Sequence, residues 1–211
     1  MILSHDIKTL PIDLETFDFV EREYANEKLV RNKCGRDFLY YSLHYYFPDK
    51  FNRNKNNPIL IDEDKIFGFP VNDTFSWLLI QFFKVPALFK KLGLSLSIND
   101  KQIKNFASFV FSIINPNKKS AENAITEVEN NVDSGFSVGI DVSMGFFGLA
   151  DHVIFVYGYD KNNLYVFDTH QAPGLEYKKI TEDNRYFMKL PKEIIKKRWT
   201  RFGRVWIITK K

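Results

Sequence analysis

Cysteine is the scarcest residue of this chain, which has one, Cys34, among its 211 residues. A single cysteine excludes an intramolecular disulfide, so a reducing compartment fits the sequence better than an oxidising one. We therefore expect a cytoplasmic protein.

The sequence also lacks segments that would target the chain to a membrane or anchor it there. Its N-terminus has no basic region followed by an apolar core, and charges interrupt every later apolar run before it reaches membrane-spanning length. These features indicate a soluble protein that does not follow the general export route.

Motifs of several enzyme classes are missing. The sequence contains no glycine-rich phosphate loop, no paired CxxC motifs and no HExxH. Nucleotide-dependent and zinc-dependent mechanisms therefore have no support. With four scattered histidines and one cysteine, we expect neither a metal site nor a cofactor.

Basic charge is concentrated in one region of the chain. The formal net charge is only +4, but residues 189–211 hold nine Lys or Arg and one Glu. Pro191 is suited to start a helix, because its missing N–H needs no partner there. Ile195 and Trp199 would face the core and Lys192 the solvent. We interpret the cluster as a solvated helix face, and nucleic-acid or membrane binding is not expected.

What the chain has in quantity is apolar and aromatic residues: 45% of it is hydrophobic, with 21 Phe and 10 Tyr. This composition is typical of a folded globule, and 211 residues suit a single domain spanning 1–211. Helical spacing is seen before residue 134, including a helix over 97–114 and another capped by Ser120, whereas every strand is predicted after it. The fold class is therefore α+β, with N-terminal helices packed on a C-terminal antiparallel sheet.

Residues 134–169 predict three consecutive strands, at 136–142, 152–159 and 164–168. The last two are joined by residues 160–163, whose Asp and Asn tolerate the left-handed conformations of a tight hairpin.

Two polar residues stand at the ends of these strands. His152 opens one strand and Asp168 closes its neighbour, so hairpin pairing can bring the imidazole and the carboxylate together. A carboxylate on one ring nitrogen fixes the tautomer and stabilises the imidazolium that forms when the other nitrogen takes a proton. Asp151 is the alternative orienting group, but as the sequence neighbour of His152 it would point to the opposite sheet face.

Cys34 is the candidate nucleophile for this pair. It begins a segment with helical spacing, and the positive end of a helix dipole together with a nearby imidazolium favours the thiolate. Gly35 would leave room for a substrate backbone beside the sulfur. A Cys, a His and an Asp in this chain order, on a helix and two strands, form a papain-like arrangement.

With these residues in place, the chain resembles the papain-like cysteine peptidases of the bacteriocin-leader-processing type (C39-like). Four blocks carry the resemblance: Cys34-Gly35 at a helix start, a helix followed by a small-residue strand entry at 121–135, HVIFVYGYD at 152–160, and LYVFD at 164–168. The N-terminal domain of the butirosin-biosynthesis acyltransferases is also similar, through DEDKIFGF at 62–69 and SAENA at 120–124.

The resemblance implies a papain-like fold and a Cys34–His152–Asp168 catalytic triad. The peptidases carry a Gln about six residues before the cysteine as an oxyanion donor, and here that position is Lys28. Asn32 or Asn26 could supply a side-chain donor instead, and the Cys34 backbone N–H is available in either case.

The expected chemistry is thiol-dependent acyl transfer from a peptide or an acyl-carrying substrate. We expect water to be the acceptor, which makes the protein a cysteine peptidase or amidase. The alternatives are an acyltransferase, in which an amine is the acceptor, and a silent peptide-binding module, in which the thiol is unreactive. Phe146 and Phe147 lie between two glycines just before the strand of His152, where substrate contact or a lid role competes with plain packing. His170 is a further candidate for the cleft lining.

Overall fold

The computed structural model describes residues 7–12, 34–49, 85–114, 119–143, 151–168, 175–180, 187–200 and 203–211. These ranges contain five helices and nine strands. In chain order they are β1 (Lys8–Thr9), α1 (Cys34–Tyr46), α2 (Val85–Lys91), β2 (Leu94–Ile98), β3 (Lys101–Gln102), α3 (Phe106–Ile114), α4 (Ala121–Asp133), β4 (Ser137–Ser143), β5 (Asp151–Tyr159), β6 (Asn163–Phe167), β7 (Lys178–Lys179), β8 (Phe187–Pro191), α5 (Lys192–Arg198) and β9 (Arg204–Lys210).

The described strands form one open sheet in which every pairing is antiparallel. Eight of them follow the order β3-β2-β9-β4-β5-β6-β8-β7. The ninth, β1, pairs with the C-terminal end of β5, at Gly158 and Tyr159. Helices pack against this sheet, so the predicted α+β class is confirmed.

The three predicted central strands are confirmed as β4, β5 and β6. Val138 faces Val156 across β4 and β5, and Phe155 faces Phe167 across β5 and β6. The hairpin after β5 forms differently from the prediction. Its residues avoid left-handed conformations, and Asp160 Oδ1 instead accepts from two backbone N–H groups, those of Asn162 and Asn163, each at 2.7 Å.

The expectation that all strands follow residue 134 is wrong, because β1, β2 and β3 precede it. The helix predicted over 97–114 exists only as α3, and its first residues belong to the β2–β3 hairpin. Asn99 and Asp100 turn this hairpin with φ angles of 47° and 64°, the left-handed pair that a two-residue turn requires. The sheet is therefore built from both halves of the chain.

Helix α1 lies on the centre of the sheet. Ser42 Oγ is 2.6 Å from Ser137 Oγ, and Tyr45 donates to the Gly135 carbonyl at 3.0 Å. One helical turn earlier, Phe38 packs over Gly139 in the middle of β4. The helix thus runs antiparallel to β4, which directs its first residue, Cys34, towards the sheet end where β4 finishes and β5 begins.

Gly139 is the position that allows α1 to approach the sheet so closely. A Cβ atom there would lie 2.7 Å from Phe38 Cε2 and 3.1 Å from Val153 Cγ2. We predict that Gly139→Ala lowers the free energy of unfolding by about 1–3 kcal/mol through overpacking, measured by urea denaturation. Adding Phe38→Leu should make the double variant less destabilised than the sum of the two single ones. Strict additivity would contradict this account.

The sequence made one prediction about each of helices α4 and α5, a capping residue for the first and a solvated lysine for the second. Ser120 caps α4 by accepting from the Asn123 N–H at 3.2 Å, as predicted. The expectation that Lys192 is solvated is wrong, because its side chain is only 13% exposed. Its ammonium lies 2.6 Å from a Glu129 carboxylate oxygen and donates to the carbonyls of Asp160 and Lys161, so Lys192 ties α5 to α4 and to the β5–β6 hairpin.

Candidate functional site

Cys34 is the first residue of α1, as predicted, and its side chain is half-buried. A sulfur in the first turn of a helix of 13 residues lies near unpaired backbone N–H groups, and the helix dipole there favours negative charge. Gly35, the next residue, is buried. The structure therefore places the thiol at the N-terminal end of α1, as the sequence predicts.

His152 and Asp168 meet at the end of the β5–β6 hairpin. His152 is the second residue of β5 and pairs with Val142, whereas Asp168 directly follows β6. The antiparallel register of the two strands brings these residues together. His152 Nε2 lies 2.8 Å from Asp168 Oδ2, and the residues are only 2% and 4% exposed. The predicted imidazole–carboxylate pair is present and shielded from water.

Burial is the largest single influence on His152, and it lowers the pKa of the imidazole. Hydrogen bonds to Asp168 and to the side chain of Cys34, with the charges of both groups, outweigh burial and raise the pKa from 6.5 to about 10. The hydrogen bond to Cys34 brings the thiol, the imidazole and the carboxylate into one connected group. Because Nε2 faces Asp168, Nδ1 is the ring nitrogen that remains for the sulfur.

This arrangement predicts that His152 remains an imidazolium well above neutral pH. Its pKa is raised, so the protonated form should persist through pH 8, where an ordinary histidine is neutral, and be lost only near a pH of about 10. Nitrogen-detected NMR of the ring should show both nitrogens protonated at pH 8. In the Asp168→Asn variant the titration should move down towards 6.5, and a wild-type midpoint near 6.5 would contradict the prediction.

Tyr177 joins the site although nothing in the sequence singled it out. Its hydroxyl donates to Asp168 Oδ2, the same oxygen that His152 Nε2 contacts. Tyr177 lies just before the short strand β7, nine residues after Asp168. The sequence shows only an extended segment there, and no local spacing relates a tyrosine on it to the end of β6.

Most of the other candidate residues cannot be placed relative to the site because they lie outside the described ranges. Asn32, Phe146, Phe147 and His170 lie outside them, as do Asn26, Lys28 and His5. Asp151 begins β5, and His44 is buried on α1.

Two absences are established for the described part of the chain only. It contains no group of three or more His, Cys, Asp or Glu side chains that could hold a metal ion. None of its helices combines the length and the hydrophobicity needed to cross a membrane.

The chain was compared with known proteins in three ways. No protein-family model, no curated protein and no solved structure matches it.

Proposed function

We propose that the protein is a papain-like, cysteine-dependent peptidase or amidase that works through a thioester on Cys34. The observation that carries the proposal is the position of His152, which is hydrogen-bonded to Asp168 on one side and to Cys34 on the other. A nucleophile, a base and a group that orients the base are the three parts that nucleophilic catalysis requires.

The proposed reaction follows from these contacts. In the resting pair the thiol proton has already passed to His152 Nδ1, so the Cys34 thiolate attacks the substrate carbonyl, whose oxygen becomes an oxyanion near the Cys34 backbone N–H. Nδ1 then returns the proton to the leaving amine, and a thioester remains. A water molecule gives a proton to Nδ1 and attacks the thioester, which releases the acid and restores the thiolate–imidazolium pair.

The main competing role for a lone cysteine is that of a small buried hydrophobe. Two observations favour catalysis. The Cys34 residue is half-buried, whereas the core residues around α1 are almost fully buried. Its thiol also bonds an imidazole whose pKa is raised to about 10, and packing alone needs neither the charge nor the carboxylate behind it.

The test is the reactivity of Cys34 towards iodoacetamide as a function of pH. An ordinary thiol has a pKa of about 8.5, so well under 1% of it is thiolate at pH 6. We expect Cys34 to be alkylated at pH 6 at least about tenfold faster than glutathione, because the imidazolium holds the thiolate form. Since the chain has one cysteine, the site of modification is unambiguous.

His152→Ala is the matched variant for this measurement. It keeps the thiol and removes the imidazolium, so the excess rate at pH 6 should disappear. The urea-unfolded wild-type protein serves as a second control and should react like glutathione. A folded wild-type protein whose alkylation rises with a midpoint near 8.5 would leave only a silent peptide-binding module.

A further inference from the structure

We propose that Tyr177 is a positioning residue that holds Asp168 in the orientation His152 needs. This inference rests on the proposed function, and it extends the site to a fourth side chain. The Tyr177 hydroxyl and His152 Nε2 meet the same carboxylate oxygen, Asp168 Oδ2. Two donors on one oxygen, arriving from different parts of the chain, restrict rotation of the carboxylate about its Cβ–Cγ bond.

Tyr177 reaches this oxygen from an edge of the sheet. It precedes β7, which pairs with β8, and β8 separates β7 from β6. The segment is fixed by the buried side chain of Leu175 and by a 3.0 Å hydrogen bond from the Tyr177 N–H to the Leu175 carbonyl. Tyr177 therefore supplies a hydrogen bond at the end of β6 from a segment outside the hairpin that carries His152 and Asp168.

The direction of the hydrogen bond from Tyr177 to Asp168 explains why its loss would affect the reactivity of Cys34. A carboxylate accepts and a phenol hydroxyl donates, so Tyr177 stabilises the charged form of Asp168. Asp168 is 4% exposed, so bulk water cannot easily replace a lost donor. Without the hydroxyl, the carboxylate has more freedom to turn away from His152 Nε2. The imidazole ring is then no longer held in the orientation that directs Nδ1 to the Cys34 sulfur.

A tyrosine bonded to a carboxylate can also be purely structural, and the chain contains a matched case. Tyr165 donates to Asp160 Oδ2 at 3.0 Å, in the turn at the other end of β6. Tyr165→Phe removes the same kind of bond outside the site, so it measures the loss of stability alone.

The test compares Tyr177→Phe with Tyr165→Phe by iodoacetamide alkylation of Cys34. We expect Tyr177→Phe to lower the rate at pH 6 by roughly tenfold, the size of effect seen when a group that orients a functional side chain is lost. At pH 10 its rate should equal that of the wild type, since most of any thiol is ionised there. Tyr165→Phe should keep the wild-type rate at both pH values.

A double-variant comparison tests whether Tyr177 acts through Asp168. Adding Tyr177→Phe to Asp168→Asn should change the pH 6 rate no further, because the oriented carboxylate is already gone. Circular dichroism with thermal unfolding monitors the fold of each variant.

Two outcomes would overturn the proposal, and they differ from failure of the proposed function. Wild-type reactivity of Tyr177→Phe at pH 6, with His152→Ala still slow, rejects the positioning role and leaves the thiol–imidazole mechanism standing. A further loss of rate when Tyr177→Phe is added to Asp168→Asn rejects the route through the carboxylate. A wild-type protein that reacts like glutathione removes the proposed function, and the role of Tyr177 with it.

Discussion

Replacement of Cys34 by alanine is expected to abolish the burst of p-nitrophenolate that the wild-type protein releases from p-nitrophenyl acetate. In the wild type, the thiolate attacks the ester carbonyl, p-nitrophenolate leaves, and the acetyl group stays on sulfur as a thioester. Without the sulfur, neither of the two remaining side chains of the group, His152 and Asp168, can replace it as the nucleophile. We expect the acylation rate to fall on the order of 10³-fold or more, and mass spectrometry should show no acetyl adduct.

Cys34→Ser is the matched control for this experiment. It keeps nearly the same shape and places a hydroxyl beside His152, but a hydroxyl is a much weaker nucleophile than a thiol at neutral pH. Its burst should therefore be lost as well, although the fold is unchanged. A burst of wild-type size in Cys34→Ala would mean that the ester reacts elsewhere on the protein, and the proposed nucleophile would be wrong.

The same acyl-enzyme separates hydrolysis from acyl transfer. If water is the natural acceptor, added amines should shorten the lifetime of the thioester only in proportion to their concentration. Saturable acceleration by an amine, with the amide as product, would instead identify an acyltransferase. Either result keeps the thioester on Cys34 and decides only what removes the acyl group.

The largest effect on stability is expected from Asp141→Ala. Arg204 Nη1 donates to Asp141 Oδ2 at 3.1 Å, and the two residues are cross-strand partners in β4 and β9. Both side chains are buried, with that of Asp141 5% exposed and that of Arg204 10% exposed. Removing one member of a buried ion pair leaves the other charge in a medium that solvates it poorly, which costs about 3–5 kcal/mol. Urea denaturation measures this loss directly.

The control replaces both charges at once. Asp141→Leu combined with Arg204→Met removes the pair without leaving a charge behind, so this double variant should be more stable than Asp141→Ala. A loss below about 1 kcal/mol for Asp141→Ala, the range of exposed pairs, would show that water reaches the pair.

The central strands could be predicted because their evidence is local. Residues 136–168 contain three apolar runs within a short span, and Asp160 has a short polar side chain suited to closing a hairpin. Strand β2 also had a local pattern, since Leu94–Ile98 reads LSLSI, a strict alternation followed by Asn99-Asp100. Apolar residues at helical spacing follow this strand in α3, and because their pattern can be extended back across the turn, it hides the shorter alternation of β2.

Long-range pairing explains what the sequence could not provide. The position of β9 between β2 and β4 depends on contacts such as the 2.9 Å hydrogen bond from the Val205 N–H to Asn99 Oδ1, across 106 residues. The candidate site follows the same rule. His152 and Asp168 were predictable because one hairpin holds both, whereas Tyr177 depends on the order of β6, β8 and β7.

The central position of β9 has a consequence for synthesis of the chain on the ribosome. While β9 is still inside the exit tunnel, β4 and the β2–β3 hairpin have both emerged, and each exposes an edge with unsatisfied backbone groups. Such edges pair readily with other nascent chains, and pairing between residues so far apart forms slowly. The interval before β9 emerges is therefore the stage at which this protein most needs a chaperone, and slowing translation there should increase its aggregation.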